Sequence, residues 1–472
     1  MEPKIRVRFA PSPTGPFHFG SARTALFQWL FARHEGGEFL LRIEDTDRAR
    51  SEKKYEEDIV ASLKWLGLNW DGEIYRQSER LEIYENYLRK LLDDDLAYWC
   101  FCSTEELEVE REAQLSQGFA PKYGGKCRNL PKKGTEEKLK NSAAVIRFKI
   151  PEKKVSWHDL TRGKIEFDLA LMGDILIAKG LKEPLYNFAA AVDDFEMKIT
   201  HVIRGEDHIS NTPKQLALQE ALGFHHPHYA HLPLILGADK KKLSKRFLEN
   251  SVLDYEKNGY LPEAILNFLA LLGWHPERDR EILSVGEMME EFSLKRVQKS
   301  GAVFNLDKLN WLNAHYIKNM PTETLFSRLK PFIQPFLMSD ENFIKKVIDL
   351  EKSRLKQLNE FEQLTNFFFI SPDYQKETLI WQKTPEKIIV ENLKAVLIIL
   401  EGLDEENFSK GAFENKITEL ADERGRGEVF WPLRVALSGQ EASPGPLELI
   451  GVFGKKETGK RIKQAIQKLT GD

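Results

Sequence analysis

Cysteine is scarce in this chain, three residues in 472. That excludes a disulfide scaffold and suits a reducing compartment. Long apolar runs are missing as well: no stretch approaches the roughly 20 residues of a membrane span, so no membrane partner is expected. A surplus of base is also missing. Lys and Arg number 69 against 73 Asp and Glu, a net charge of −4. No global basic field attracts nucleic acid, and any such contact rests on local patches. There is no internal repeat and no low-complexity tail. The first strand candidate, residues 4–9, begins almost at Met1, so neither a signal nor a transit peptide is expected. What remains is an ordinary globular composition, 42% hydrophobic and 30% charged, with length for two to four domains at roughly 100–200 residues each.

The first 90 or so residues alternate strand and helix signals. Residues 4–10 read as a strand. Residues 22–33 read as a helix with Leu26, Phe27, Trp29 and Leu30 inward, stopped by Gly36 and Gly37. EFLLRIE (38–44) reads as a second strand and 55–66 as a second helix. Apolar strands alternating with helices predict a parallel, doubly wound sheet. Residues 98–190 break the rhythm. They hold all three cysteines, a Lys/Glu-rich stretch near 131–141 and β-rich pieces such as AAVIRFKI (143–150), which reads as an insertion. Strands return at KITHVIR (198–204) and YAHLPLIL (229–236). From about Leu261 the chain reads almost wholly helical. In the last helix, KRIKQAIQKL (460–469), Ile462, Ala465, Ile466 and Leu469 form an apolar stripe, with Lys460, Arg461, Lys463 and Lys468 off it.

Residues 8–23, RFAPSPTGPFHFGSAR, carry the first chemistry. Pro11, Pro13 and Pro16 stiffen the loop; Gly15 and Gly20 let it turn and let a ligand approach. A helix beginning near Ser21 offers unpaired N–H groups and a positive dipole end, which attract phosphate. His18 beside it donates or accepts according to its protonation. The same residues also suit a rigid turn with a packed histidine, and spacing alone does not decide. A second cluster, DKKKLSKR (239–246), has five basic residues in eight after a strand candidate. Lysines there suit developing polyphosphate charge, or simply a solvated loop.

Taken together, the two clusters resemble the "HIGH"-type and "KMSKS"-type loops of class I aminoacyl-tRNA synthetases, here His18-Phe19-Gly20-Ser21 and Lys242-Leu243-Ser244-Lys245-Arg246. APSPTG (10–15), ARTALF (22–27), RIEDTDRAR (42–50), WLGLNWDG (65–72), YRQSER (75–80) and VIRGEDHISNTPKQ (202–215) resemble the bacterial glutamyl-tRNA synthetase family. The likeness continues, more thinly, through VFNLDKLNWLNAHYI (303–317). It implies an α/β Rossmann-type catalytic domain in two halves (1–97 and 191–246) around an α+β acceptor-binding insertion (98–190). A stem-contact region (247–305) and two all-α anticodon-binding subdomains (306–375 and 376–472) would follow. It implies a glutamate–tRNA ligase: ATP and Mg²⁺ as cofactors, L-glutamate and tRNA(Glu) as partners, a glutamyl-adenylate intermediate, and a cytoplasmic monomer.

Roles follow from the resemblance, position by position. His18 and Gly20 would contact ATP, with Ser21 and Ser244 beside it, and Lys242 and Lys245 would steady the phosphates. Arg8, Ala10, Ser12, Glu44, Tyr186 and Arg204 would hold glutamate. A planar guanidinium at Arg8 suits a carboxylate better than an amide, and Glu44 suits an ammonium. Without the likeness, Arg8 is equally a surface strand residue alternating with Arg6. Asp47 would approach the tRNA terminus, Arg354 the anticodon, and the final helix would offer a basic face. Cys100, Cys102, Tyr123 and Cys127 resemble one structural zinc site of the family, with His158 a weaker fourth ligand; three ordinary reduced thiols are the alternative. The run at His225, His226 and His228 reads as a polar loop. Two departures stand out: the loop GLKEPLY (180–186) before Tyr186 is unlike the family's, and Ala190 replaces a frequent asparagine, with Asn187 a substitute contact. A glutamyl-queuosine tRNA synthetase lacks so long a helical half, a glutaminyl-tRNA synthetase carries β-barrels there, and a non-catalytic RNA-binding paralogue has no need of His18, Lys242 and Lys245.

Overall fold

In the computed structural model, residues 4–241, 250–334 and 340–471 are described. They form two compact units, one of residues 1–256 with 262–312, the other of residues 257–261 with 313–472.

The first unit opens as β1 (Arg6–Phe9), α1 (Phe19–His34), β2 (Glu38–Ile43), α2 (Lys53–Trp65), β3 (Tyr75–Arg76) and α3 (Leu81–Asp93). Next come β4 (Ala97–Cys100), α4 (Thr104–Ser116), α5 (Lys132–Leu139), β5 (Val145–Phe148), β6 (Lys154–Asp159), β7 (Gly163–Asp168), β8 (Ile175–Gly180) and β9 (Glu183–Pro184). The main sheet then resumes through α6 (Tyr186–Glu196), β10 (His201–Gly205), α7 (Thr212–Leu222) and β11 (His228–Leu232).

β2 pairs in parallel with β1, Arg8 opposite Leu40, and with β3, Arg42 opposite Tyr75. β10 and β11 are likewise parallel, Arg204 opposite His231. The two sets meet where the Thr200 N–H donates to the Arg6 carbonyl at 3.0 Å and the Arg6 N–H to Thr200 Oγ1 at 2.9 Å. The chain therefore winds outward from a seam between β1 and β10, the point at which α/β sheets open a crevice at their strand ends. The hairpin β6–β7 comes from the stretch read as an insertion, yet β6 docks against β11, Asp159 opposite Tyr229. Only β4, β5, β8 and β9 form a separate antiparallel sheet. The polar stretch near 131–141 becomes α5, which like α4 buries nothing.

α1 reads from sequence as a helix with one inward face, but in the structure it is buried nearly all round. Leu26, Phe27, Trp29 and Leu30 are buried as expected, and so are Phe19, Ala22, Arg23, Ala25 and Gln28. The helix packs on the sheet and also against the helices Pro262–Leu271 and Val285–Glu291, so both its faces lie in core. Each large apolar side chain buried this way contributes about 1.5–3 kcal/mol. Its end is set where expected: Gly36 takes φ +62°, and a Cβ on Gly37 would lie 2.5 Å from the Ile5 carbonyl. Beyond residue 261 the chain is not all helix, since Ala302–Val303 pairs in parallel with Ile235–Leu236.

The second unit is helical. Its elements include Glu341–Glu351, Phe361–Phe369, Glu386–Glu401, Ala412–Arg424, Arg426–Ser438 and Pro446–Thr470. The final helix differs from its sequence reading. Arg461, placed off the apolar stripe, is 2% exposed; its Nη1 donates to the carbonyls of Phe367 (2.7 Å) and Leu437 (2.5 Å). Lys463 pairs with Glu401 and Lys468 with Asp373. Arg461 therefore ties two helix C-termini together and is no part of a basic face. No helix among the described residues is long and apolar enough to cross a membrane.

Candidate active site

The loop after β1 is pinned by its own carbonyls: Glu44 N–H donates to Pro11 O and Glu52 N–H to Pro13 O, at 2.9 and 3.0 Å. Phe17 N–H donates to Asp58 at 2.7 Å, and Phe17 and Phe19 are buried on either side of His18. The helix starts at Phe19, not near Ser21, and His18 is its N-cap: Nδ1 accepts from the N–H of Gly20 (3.1 Å) and of Ser21 (3.4 Å). Histidine is an uncommon cap, which is why propensity places the start too late. Accepting at Nδ1 puts the ring proton on Nε2. Gly20 suits this arrangement, since a Cβ there would press on His18 Nδ1 and Cε1 at 3.0 Å.

One cleft of about 1210 Å³ opens at the strand ends. Arg8, Ala10, Ser12, His18, Gly20, Ser21, Glu44, Asp47, Tyr186 and Arg204 all line it, so ten of the residues named from sequence converge. Lys242, Ser244 and Lys245 lie outside the described residues. Asp47 sits at the rim, its carboxylate accepting from Arg50 at 2.7 Å.

The floor is a buried charge network that the sequence did not reveal. Arg8 grips Asp194 with Nε (2.9 Å) and Nη2 (3.4 Å). Arg42 Nη1 donates to the same carboxylate at 2.7 Å and Nη2 to Glu44 at 3.0 Å. Asp193 accepts from Gln77, Arg80 and Tyr84 at 2.7–2.8 Å. All but the partly exposed Arg80 are nearly or fully buried. Burial pushes the Asp194 carboxyl up, but Arg8 and Arg42 more than reverse this, so it stays below the ordinary carboxylate value. At Glu44 the balance differs: burial outweighs Arg42 and Arg8, and its pKa is raised. An incoming cation therefore gains a partner at Glu44 that is under-compensated by the protein alone. Because Asp194 holds the Nε–Nη2 edge of Arg8, the Nη1 side remains for an anion in the cleft.

Arg204, 5% exposed, is braced by Gln215 (Nη1, 2.9 Å), Thr212 (Nη2, 2.8 Å) and His231 (Nε, 3.2 Å). Its Nη1 also lies 3.4 Å from the Tyr186 hydroxyl. That hydroxyl lies 3.0 Å from His208 Nδ1. Burial, reinforced by Arg204, lowers the His208 pKa to about 4, so the ring is neutral at pH 7. Asn187 accepts from Gln215 at 3.4 Å and does not line the cleft, so it supports Arg204 rather than replacing the contact absent at Ala190, which is fully buried. Sequence reasoning assigned no role to Arg42, Asp193, Asp194 or His208. Arg42 and His208 stand inside the motifs RIEDTDRAR and VIRGEDHISNTPKQ, whereas Asp193 and Asp194 were signalled only by an acidic pair in a mostly apolar helix.

Away from the cleft, the Sγ atoms of Cys100, Cys102 and Cys127 lie within 4.8 Å of one another. The Tyr123 hydroxyl stands 3.4 and 3.5 Å from Cys100 and Cys102 and accepts from the Cys127 N–H at 2.9 Å. Three sulfurs this close together, with an oxygen beside two of them, suit the donor set of a tetrahedral thiolate-rich ion such as zinc. His158 is not among them; it lies on β6, opposite Lys164. His225 and His228 pack on Phe195 and His201. In the second unit, Arg354 pairs with buried Glu351 at 2.8 Å and donates to the Ala442 carbonyl at 3.1 Å.

The chain has extensive likeness to known proteins. The family described as tRNA synthetases class I (E and Q), catalytic domain, matches residues 4–311, and an anticodon binding domain matches 324–466. A glutamate–tRNA ligase of Thermoanaerobacter pseudethanolicus is 44% identical over 98% of both chains. One from Aquifex aeolicus is 44% identical over 99% of this chain and all of its own. The crystal structure of a glutamate tRNA ligase from Elizabethkingia meningosepticum, in complex with its amino acid, superposes with a TM-score of 0.89 at 36% identity, covering 98% of this chain and 99% of that one. With a catalytic-domain match over the unit that holds the cleft and full-length relatives on both measures, the chain belongs to the glutamate–tRNA ligase family of class I tRNA synthetases.

Proposed function

We propose that this enzyme joins L-glutamate to the 3′ end of tRNA(Glu) at the expense of ATP. A carboxylate oxygen of glutamate's α-carboxyl attacks the α-phosphorus. The bond to the β-phosphate breaks and pyrophosphate leaves. A ribose hydroxyl then attacks the acyl carbon of the adenylate, and AMP leaves. Such transfers depend chiefly on positioning and charge stabilisation.

The observation that carries this reading is that Arg8, Arg204 and Glu44 line the same cleft as the His18-capped helix. Two guanidinia suit the carboxylates of a diacid, and Glu44 suits its ammonium. An amide side chain would leave a guanidinium without its anion, which disfavours glutamine. His18, its proton held on Nε2, donates to ATP phosphate; the N-terminus of α1 adds its dipole. Gly20 gives the ring room and Ser21 borders the phosphates. Lys242, Ser244 and Lys245 are assigned to the phosphates from sequence, and Mg²⁺ accompanies ATP. Ala10, Ser12 and Tyr186 shape the amino-acid end, Asp47 meets the tRNA terminus, and Arg354 meets the anticodon. We assign one structural zinc to Cys100, Cys102 and Cys127 with Tyr123 as the fourth ligand; when bound it would staple β4 to the loop that follows α4.

Charging of purified tRNA(Glu) and tRNA(Gln) transcripts with labelled glutamate tests the reading. Charging of tRNA(Glu) alone supports a discriminating enzyme and the Arg354 assignment. Charging of both keeps the reaction but rejects that assignment. Charging of neither by folded protein rejects the function. For the metal, chelator-washed protein is expected to keep about one zinc per chain and Cys127→Ala none; zinc-free wild type rejects the site.

A further inference from the structure

His231 on β11 and Asp159 at the end of β6 are fully buried, and neither has a place in the reaction described above. His231 Nδ1 lies 2.5 Å from Asp159 Oδ2. At the other side of the ring, Nε2 lies 3.2 Å from Arg204 Nε and 3.1 Å from Thr212 Oγ1. A guanidinium only donates, so Nε2 must present its lone pair to Arg204. An ionised carboxylate only accepts, so Nδ1 must carry the proton. Asp159 is held ionised by its surroundings: Oδ1 receives the N–H groups of Thr161 (3.1 Å), Arg162 (3.0 Å) and His231 (3.2 Å), with Thr161 Oγ1 at 2.8 Å. Its pKa falls to about 2, because these bonds and His231 outweigh burial. Burial lowers that of His231, keeping the ring neutral.

We propose that Asp159 and His231 are positioning residues: by fixing one tautomer of His231, Asp159 orients the Arg204 guanidinium for the substrate carboxylate. The proposal rests on the reading that Arg204 meets glutamate. It gives the hairpin β6–β7 a task in amino-acid selection, because that hairpin brings Asp159 to the far side of β11.

Asp159→Asn is the decisive change, since it preserves shape. The three backbone N–H groups hold the new amide oxygen at the Oδ1 position. The amide NH₂ then faces His231 Nδ1, the ring proton moves to Nε2, and it opposes Arg204 Nε–H. The KM for glutamate is expected to rise about tenfold, the size of one mispaired buried hydrogen bond. The KM for ATP stays constant, and discrimination against glutamine falls. His231→Gln returns an acceptor oxygen at the Nε2 position without any atom at Nδ1. The double variant D159N/H231Q is therefore expected to recover a lower glutamate KM than D159N alone. His231→Asn, which keeps only the Nδ1-side group, is expected to behave like D159N.

A purely structural role predicts the opposite: a double variant worse than either single one, with both KM values rising as the melting temperature drops. That result, or an unchanged glutamate KM in D159N, overturns the proposal. If D159N does not fold, equal glutamate KM values for H231Q and H231N overturn it instead, and a clear advantage for H231Q supports it. Wild-type protein that charges no glutamate refutes the underlying reading rather than this one.

Discussion

At the scale of single residues, two side chains do two jobs each, and the jobs separate by substitution. Arg8 holds Asp194 with one edge and faces the cleft with the other. Lysine offers one point charge and cannot serve both edges. Arg8→Lys is expected to raise the KM for glutamate by about tenfold or more, one charge-assisted hydrogen bond, with the ATP KM unchanged; equal effects on both substrates in steady-state charging refute the assignment. His18 caps α1 and lines the cleft, where its proposed task is to donate to phosphate. Asparagine is a better cap but has no Nε2 donor. His18→Asn is expected to melt like wild type yet activate glutamate roughly a hundredfold more slowly, as when one transition-state donor is lost. His18→Ala should in addition cost about 1 kcal/mol of stability. Full activity in the asparagine variant, measured by pyrophosphate exchange with tRNA present, leaves His18 only a cap. The sequence made Arg8 and His18 legible because they sit in short motifs of odd composition. It hid Asp194, whose partners Arg8 and Arg42 lie more than 150 positions away.

Among elements, local signals carried β1, α1, β2 and α2, which Gly and Pro punctuate, while β3 and α3 went unread. Non-local pairing was hidden: nothing in KVSWHD announces that β6 will lie beside β11. The final helix misled for a different reason, because an arginine at an apolar register looks solvated until its acceptors are found. Arg461→Met keeps the length and apolar stem but leaves the Phe367 and Leu437 carbonyls without their donor. A loss of about 2–4 kcal/mol is expected from two buried acceptors, against near zero for Lys460→Met on the same helix. Comparable urea midpoints for the two variants refute the bracing role. β10 adds a pH prediction. Burial, then His228, lowers the His201 pKa to about 4, below the unfolded value of about 6.5. Between those values the unfolded chain binds a proton that the folded chain does not. Stability is thus complete above about pH 6.5 and declines as pH falls toward 4. His201→Phe, which keeps a ring against Phe31, is expected to flatten the decline between pH 7 and 5; an unchanged slope in thermal melts refutes it.

For the whole molecule, near-balanced charge and a division into two units set the behaviour. With 73 acids against 69 bases, tRNA must be held by local clusters, so the logarithm of the affinity is expected to fall linearly with the logarithm of salt concentration. The division matters more for stability. Every residue lining the cleft belongs to the unit of residues 1–256 and 262–312, whereas Arg354 belongs to the other. Each unit has its own buried apolar core: Phe19, Phe27 and Leu30 in the first, Ile344, Leu393 and Ile462 in the second. Two cores permit two unfolding steps, and a single two-state transition is not the expectation for such a chain. A ligand stabilises only the state that binds it, by about 2.7 kcal/mol at a hundredfold excess over its Kd. An unreactive glutamyl-adenylate analogue is therefore expected to shift one calorimetric transition upward and leave the other in place. The Arg461→Met variant should move only the transition the analogue leaves alone, and Arg8→Lys should abolish the analogue's shift while sparing that same transition. One transition that moves as a whole with both the analogue and the Arg461 substitution would mean that the two cores unfold together.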